Sequence, residues 1–209
     1  MSSLTIKQLR SIDDGFDTAL NQLLAWESVS DGNLQQTVAD IIHQVRTEGD
    51  AALCRLSDQF DRFPVDSMAQ LSLGAVEIAA AFERLPAEQK AALRFSAERV
   101  TAYHEKQIAQ SWRYTDDLGV VLGQQVTAMD RVGIYVPGGV APLASSVIMN
   151  ALPAKVAGVR DIIMTTPAPD GQVNDFVLGA AFVAGVTEVY LLGGAQAIAA
   201  LAYGTETVP

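Results

Sequence analysis

From residue 16 to about residue 110 the apolar positions recur every three or four residues, the spacing of one buried helix face. Phe16, Leu20, Leu23 and Leu24 form a short stripe after the capping candidates Asp13 and Asp14. Past Ser30-Asp31-Gly32-Asn33, a second stripe runs through Leu34, Val38, Ile41, Ile42 and Val45, and Gly49 is placed to end it in the left-handed conformation. Asp50 is the expected cap of a third helix carrying Leu53, Leu56 and Phe60, which Phe63-Pro64 breaks. A helix from Ala75 to Leu85 and a longer one from Pro86 to about Gln110 complete this half, with Pro86 in the first turn, where a missing N–H costs nothing.

At Ser111 the period changes. WRYTDDLGVVLGQQV holds two extended runs around Asp116-Asp117-Leu118-Gly119 and predicts a β-hairpin. Residues 131–209 then alternate strand and helix three times: RVGIYV with a helix near 144–157, DIIMTT with a helix near 173–184, and EVYLL with a helix near 195–202. Strands separated by helices of this length are βαβ units, whose right-handed crossovers build a parallel sheet with ligands at the carboxyl ends of its strands. Three strands make a small sheet, and its last helix runs at once into GTETVP. An edge strand and its covering layer are therefore expected to be missing, as in a chain cut short.

Composition narrows the partners. The formal charge is −10 and the pI about 4.5, which opposes binding to nucleic acid or an anionic membrane, because such affinity comes from Lys and Arg neutralising phosphates. The amino terminus lacks the apolar core of a signal peptide, and no run approaches the roughly 20 apolar residues of a membrane span. With one cysteine, Cys54, no intrachain disulfide can form, and the expected location is cytoplasmic.

Two glycine turns close the strands of the second half: Pro137-Gly138-Gly139 and Gly193-Gly194. Neither is a G-x-G-x-x-G fingerprint, the acidic residue expected after the second strand is replaced by Thr165-Thr166-Pro167, and Lys155 lies too far from Gly139 for a phosphate loop. What remains is close backbone approach and the free N–H groups of helix starts, so the turns read either as a ligand crevice or as structural bends. Tyr135 ends the first strand and Gln196 opens the third helix, where each can reach a crevice or simply pack or meet solvent. His43 and His104 have no partner at metal-site spacing and read as helix residues, Cys54 as a small hydrophobe, and Asp116-Asp117 as a turn. No catalytic set and no metal set emerges from the residues themselves.

RVGIYVPGGVAPLASSVIMNALPAKVAGV, then IIMTTPAP, then VYLLGGAQAIAALAYGTETVP closely resemble the histidinol dehydrogenase family, and YHEKQ and LGQQV extend the resemblance through the helical half. The resemblance implies a homodimeric, zinc-dependent enzyme of histidine biosynthesis, about twice this length, that oxidises L-histidinol to L-histidine through an aldehyde while reducing two NAD. It implies an α/β fold whose mostly helical amino-terminal half is followed by an incomplete Rossmann-like parallel sheet. Residues 1–28 would be a dimer-contacting helical arm, 29–128 the first part of an α/β domain ending in the hairpin, and 129–209 most of the NAD-binding domain. Tyr135 and Gln196 match family positions that contact NAD, and Pro137, Gly138 and Gly139 would line the same crevice. The zinc ligands, the Glu-His acid and base pair and the VGPGN-type segment have no counterpart here, so no catalytic or metal residue carries over.

The expectation is an amino-terminal piece of that oxidoreductase, inactive alone. The rival readings are a non-enzymatic NAD-binding module and a dimerisation module acting through residues 1–60.

Overall fold

The computed structural model describes residues 8–25, 32–138 and 142–209, so Gly139 and parts of the amino-terminal arm lie outside the described residues. Two units divide the chain, residues 1–40 and 41–209. The first contains α1 (Phe16–Leu24), which begins after Gly15 in a left-handed conformation (φ 82°) and not on an aspartate side chain, since Asp13 serves the helix start with its backbone carbonyl. α2 spans Gly32–Glu48.

In residues 41–209, α3 (Asp50–Asp61), α4 (Ala75–Arg84) and α5 (Ala87–Glu105) follow the apolar stripes. Leu53, Leu56, Ile78, Phe82 and Leu93 are buried in one continuous core with the strands. α5 stops at Glu105, short of the expected Gln110. Its last turn tightens into bonds from Lys106 N to the Tyr103 carbonyl and from Gln107 N to the His104 carbonyl, which occupy two of the free carbonyls. The Glu77 carboxylate accepts the Gly74 N–H at 3.0 Å to open α4, and Pro86 flanks α5.

β2 (Trp112–Thr115) and β3 (Val121–Gln124) form the expected antiparallel hairpin, turned by Asp116, whose carboxylate accepts the N–H groups of Leu118 and Val120. All eight strand residues are exposed.

β4 (Arg131–Tyr135), α6 (Ala144–Val156), β5 (Asp161–Thr165), α7 (Asp175–Ala184), β6 (Glu188–Tyr190) and α8 (Gly194–Tyr203) are the alternating half. With the two-residue strand Ser72–Leu73 as β1, the sheet order is β1-β6-β5-β4, with β4, β5 and β6 parallel. β1 runs antiparallel to β6, and Leu191 N adds a bond to the Leu71 carbonyl at 2.7 Å. The three-stranded expectation is corrected here: the helical half supplies a fourth strand on the outer side of β6, and among the described residues the two edges of the sheet are β1 and β4.

Alternate residues of β4 point to opposite faces. Val132 lies beside Pro153 and Ala154 of α6, whereas Gly133 faces α8, with the Leu201 methyl 2.7 Å from where a Cβ would stand. α6 and α8 therefore cover opposite faces of the sheet. α4 and α5 pack on α6 and α7, and Arg84 clasps Asp175 at the start of α7 with two hydrogen bonds of 2.8 and 2.6 Å.

GTETVP does not trail away. Thr205 and Thr207 donate their hydroxyls to the Asp50 carboxylate, while the Glu206 carboxylate accepts the Asp50 N–H at 2.8 Å and Val208 is fully buried. The cap of α3 is thus Glu206, 156 residues away, and not Asp50. Gly49 (φ 55°) admits that carboxylate, which occupies the place of its missing Cβ.

Candidate functional site

The carboxyl ends of β4, β5 and β6 meet the starts of α6, α7 and α8. Tyr135 is the last residue of β4 and half-buried. Its hydroxyl accepts the N–H of Gly194, the first residue of α8, at 3.4 Å. Gly194 is left-handed (φ 62°), a conformation that glycine adopts without cost. Gln196 follows in the first turn. It is 2% exposed, its side-chain amide makes no hydrogen bond among the described residues, and its Oε1 lies 2.7 Å from the position of a Cβ on Gly194. The two sequence candidates are therefore brought together on one side of the sheet, at a helix start that carries free N–H groups and partial positive charge.

Thr165 is the register partner of Tyr135 on β5, so its side chain faces the same way; its Oγ1 is buried and unpartnered. Pro167 comes next in importance. Its ring Cγ lies 2.6 Å from where a Cβ on Gly138 would stand, and its Cβ lies 2.6 Å from the same position on Gly193. The space that these glycines leave open is filled by the proline between them. Their absence of side chain serves the close approach of the two turns first.

On the other side of Pro167 a cavity of about 490 Å³ opens over the ends of β4 and β5, lined in part by Pro137 and Gly138. Among the described residues, no charged side chain lines it. Sequence reasoning singled out Pro137 and Gly138 and missed the wall from Thr166 to Asn174, although the signal was visible in the Thr-Thr-Pro that stands where an acid was expected.

The remaining candidates keep their structural roles. His43 is exposed on α2, and His104 Nδ1 lies 2.6 Å from Gln107 Oε1 in the last turn of α5. Cys54 is half-buried, and burial first, then the Asp50 charge, pushes its thiol up, away from thiolate reactivity. Burial and the bond to Glu188 likewise raise the Tyr190 hydroxyl far above its ordinary range. Among the described residues no group of three or more His, Cys, Asp or Glu is placed to hold a metal ion. None of the described helices is long and apolar enough to cross a membrane.

The family model for histidinol dehydrogenase matches residues 25–209. The chain belongs to the histidinol dehydrogenase family. Histidinol dehydrogenase of Hydrogenovibrio crunogenus is 54% identical over 206 residues, covering 99% of this chain and 48% of that protein. The Pseudomonas aeruginosa histidinol dehydrogenase is 53% identical over 204 residues, covering 98% and 46%. A crystal structure of histidinol dehydrogenase from Elizabethkingia anophelis superposes with a TM-score of 0.78 at 29% identity, covering 90% of this chain and 44% of that one. The chain spans about half the length of the curated histidinol dehydrogenases it matches.

Proposed function

We propose that this chain is the amino-terminal half of a histidinol dehydrogenase, an enzyme oxidising L-histidinol to L-histidine through the aldehyde with two NAD, and that it contributes the floor of the dinucleotide crevice. The observation that carries this reading is the meeting of Gln196, whose side-chain amide makes no hydrogen bond among the described residues, and the Tyr135 hydroxyl at Gly194, the start of α8. NAD, when bound, accepts the hydride. Tyr135 offers a ring face and a hydroxyl, Gln196 offers donors and an acceptor, and Pro137 and Gly138 flank them across the wedge of Pro167. Gly139 belongs to the same proposed turn.

The described residues do not fit the zinc of the family, since no three or more His, Cys, Asp or Glu among them are grouped as metal ligands. The acid and base of the reaction are proposed to lie outside this chain. Residues 1–28 are proposed as a dimer-contacting arm, 29–128 as the first part of one domain and 129–209 as most of the cofactor domain, in a cytoplasmic homodimer.

Calorimetric titration of the chain with NAD tests the reading. Saturable binding that weakens about fivefold or more in Tyr135→Ala and in Gln196→Ala is expected, each change removing about one ligand hydrogen bond. Binding indifferent to both substitutions overturns it. Histidinol-driven NADH formation is expected to be absent from the chain by itself, and its appearance would overturn the assignment of the reacting groups to other residues.

A further inference from the structure

Among the described residues, Arg62 and Asp170 are the two non-glycine residues with a left-handed backbone, at φ 52° and 56°, and they are bonded to each other. Arg62 Nε and one terminal nitrogen donate to the two carboxylate oxygens of Asp170, each at 2.8 Å, across 108 positions of sequence. Arg62 also ends α3. Its N–H donates to the Asp58 carbonyl at 3.1 Å and the Phe63 N–H to that of Ser57 at 3.3 Å, a turn in which glycine is the usual residue. Gly185 fills the corresponding left-handed place at the end of α7. A side chain there strains the backbone, and an ion pair with both partners exposed contributes little stability, because water and salt screen it. Strain kept without a matching gain in stability points to what the side chain holds.

What it holds is the turn after β5. Residues 169–173 cross from buried Ala168 to the α7 cap at Asn174, and Pro169, Gln172 and Val173 form part of the wall of the cavity of about 490 Å³. Within the turn, Gly171 N donates to the Ala168 carbonyl at 2.9 Å and Gln172 N to that of Pro169 at 3.0 Å. α3 grips it from outside twice. Beside the fork on Asp170, ring carbons of Phe63 lie 3.0 to 3.2 Å from where a Cβ on Gly171 would stand. Neither Asp170 nor Gly171 lines the cavity, so α3 takes hold of the residues that the wall does not use. The opposite end of α3 is fastened through Asp50 to Thr205 and Thr207, so the helix that carries the fork is itself anchored.

We propose that Arg62 and Asp170 are positioning residues for the crevice: their two-point ion pair latches the turn after β5 to α3 and sets where the cavity wall stands. Neither residue touches the ligand. The proposal rests on the dinucleotide reading for the identity of what the wall faces, but the latch is tested with no ligand present. Glycine at position 62 separates the two roles, since it relieves the left-handed strain while it removes the fork.

Amide exchange of Gly171 and Gln172, read by solvent-exchange NMR on the 209-residue chain, tests the latch. Arg62→Gly is expected to speed exchange at both amides about fivefold, the upper range for an exposed ion pair, while its urea midpoint stays at or above that of the parent. Raising salt from about 0.1 to 1 M is expected to speed the same amides in the parent and to leave them unchanged in the variant, where no charge pair remains to be screened. Adding Asp170→Asn to Arg62→Gly is expected to change little further, as for two members of one interaction. Calorimetry then reads the wall: NAD binding is expected to weaken about threefold in Arg62→Gly, as when only a third of the chains keep the competent arrangement. Unchanged exchange in Arg62→Gly, or faster exchange accompanied by a lower urea midpoint, overturns the latch. NAD binding that keeps its sensitivity to Tyr135 and Gln196 but ignores Arg62→Gly overturns the positioning role and leaves the dinucleotide reading standing. Exchange that responds as expected in a chain indifferent to NAD keeps the latch on the cavity wall and removes the dinucleotide.

Discussion

Pro167 Cβ lies 2.6 Å from the point where a Cβ on Gly193 would stand, and Pro167 Cα lies 3.3 Å from it. The neighbour on this side includes backbone, which yields little. At Gly138 the nearest atom is the ring Cγ, which moves when the ring changes pucker. Gly193→Ala is therefore expected to destabilise the chain by about 1 to 3 kcal/mol, the usual cost of overpacking, and Gly138→Ala by clearly less. Urea unfolding midpoints measure both, and equal losses would mean that the wedge is softer than its geometry implies.

Asp50 joins the tail to α3, and its loss strips three donors of their acceptor: the Thr205 and Thr207 hydroxyls and the Thr207 N–H. Asp50→Ala is expected to cost about 2 kcal/mol, in the range for hydrogen bonds to a charged group. Deleting residues 205–209 should cost at least as much, because buried Val208 leaves with them. Combining the two changes should add little to the larger single loss, as for groups that share one network. Thermal unfolding of the two variants and their combination checks this, and simple additivity would show that the tail and Asp50 act independently.

Asp61 is 7% exposed, its Oδ2 has no partner among the described residues, and burial raises its pKa above the ordinary 3.8 despite the opposing charge of Arg62. The native state holds this proton to higher pH than the unfolded chain does. Its contribution is fully present below the unfolded value and is lost as pH rises through the folded value. Asp61→Asn should therefore unfold at higher urea than the parent near neutral pH, with the gap closing as pH falls toward 3.8. Midpoints of the two proteins that run parallel across that range would contradict it. Asp170 and Asp175 shift the other way, held down chiefly by hydrogen bonds from Arg62 and Arg84, so what they contribute disappears on acidification.

The hairpin of β2 and β3 has no buried residue, although Trp112, Tyr114, Val121 and Leu122 are large and apolar. Two strands without a packed face are marginal. Amide hydrogen exchange is expected to be fast at 112–115 and 121–124 and slowest in β5, where Ile162, Ile163 and Met164 are buried. Equal protection in the two regions would require a covering layer on the hairpin in solution.

The periodic signals carried most of the fold. The stripes of Ile41, Val45, Leu53 and Leu56 and the strand runs at 131, 161 and 188 become the elements they foretell, because a long amphipathic pattern leaves few alternatives. β1 was invisible, since two residues have no period and Ser72-Leu73 pairs only because β6 offers an edge. The cap of Asp50 by Glu206 was equally out of reach, as no local pattern links residues 156 positions apart. At the site, the approach of Tyr135 to the start of α8 follows from the order of parallel strands and helices. The role of Pro167 as a partition does not, because it depends on how closely two turns approach in space.

The knot of side chains around Asp50 returns residue 205 to the neighbourhood of residue 50, so everything between them forms a closed circuit without a covalent clasp. A protein closed in that manner tolerates being opened elsewhere. Joining Pro209 back to the start of α3 through a short flexible bridge and cutting the exposed tip of the hairpin at Leu118 gives a shortened, rearranged polypeptide without residues 1–49, expected to keep the same sheet but to lose the stability that buried Ile41 and Val45 contribute.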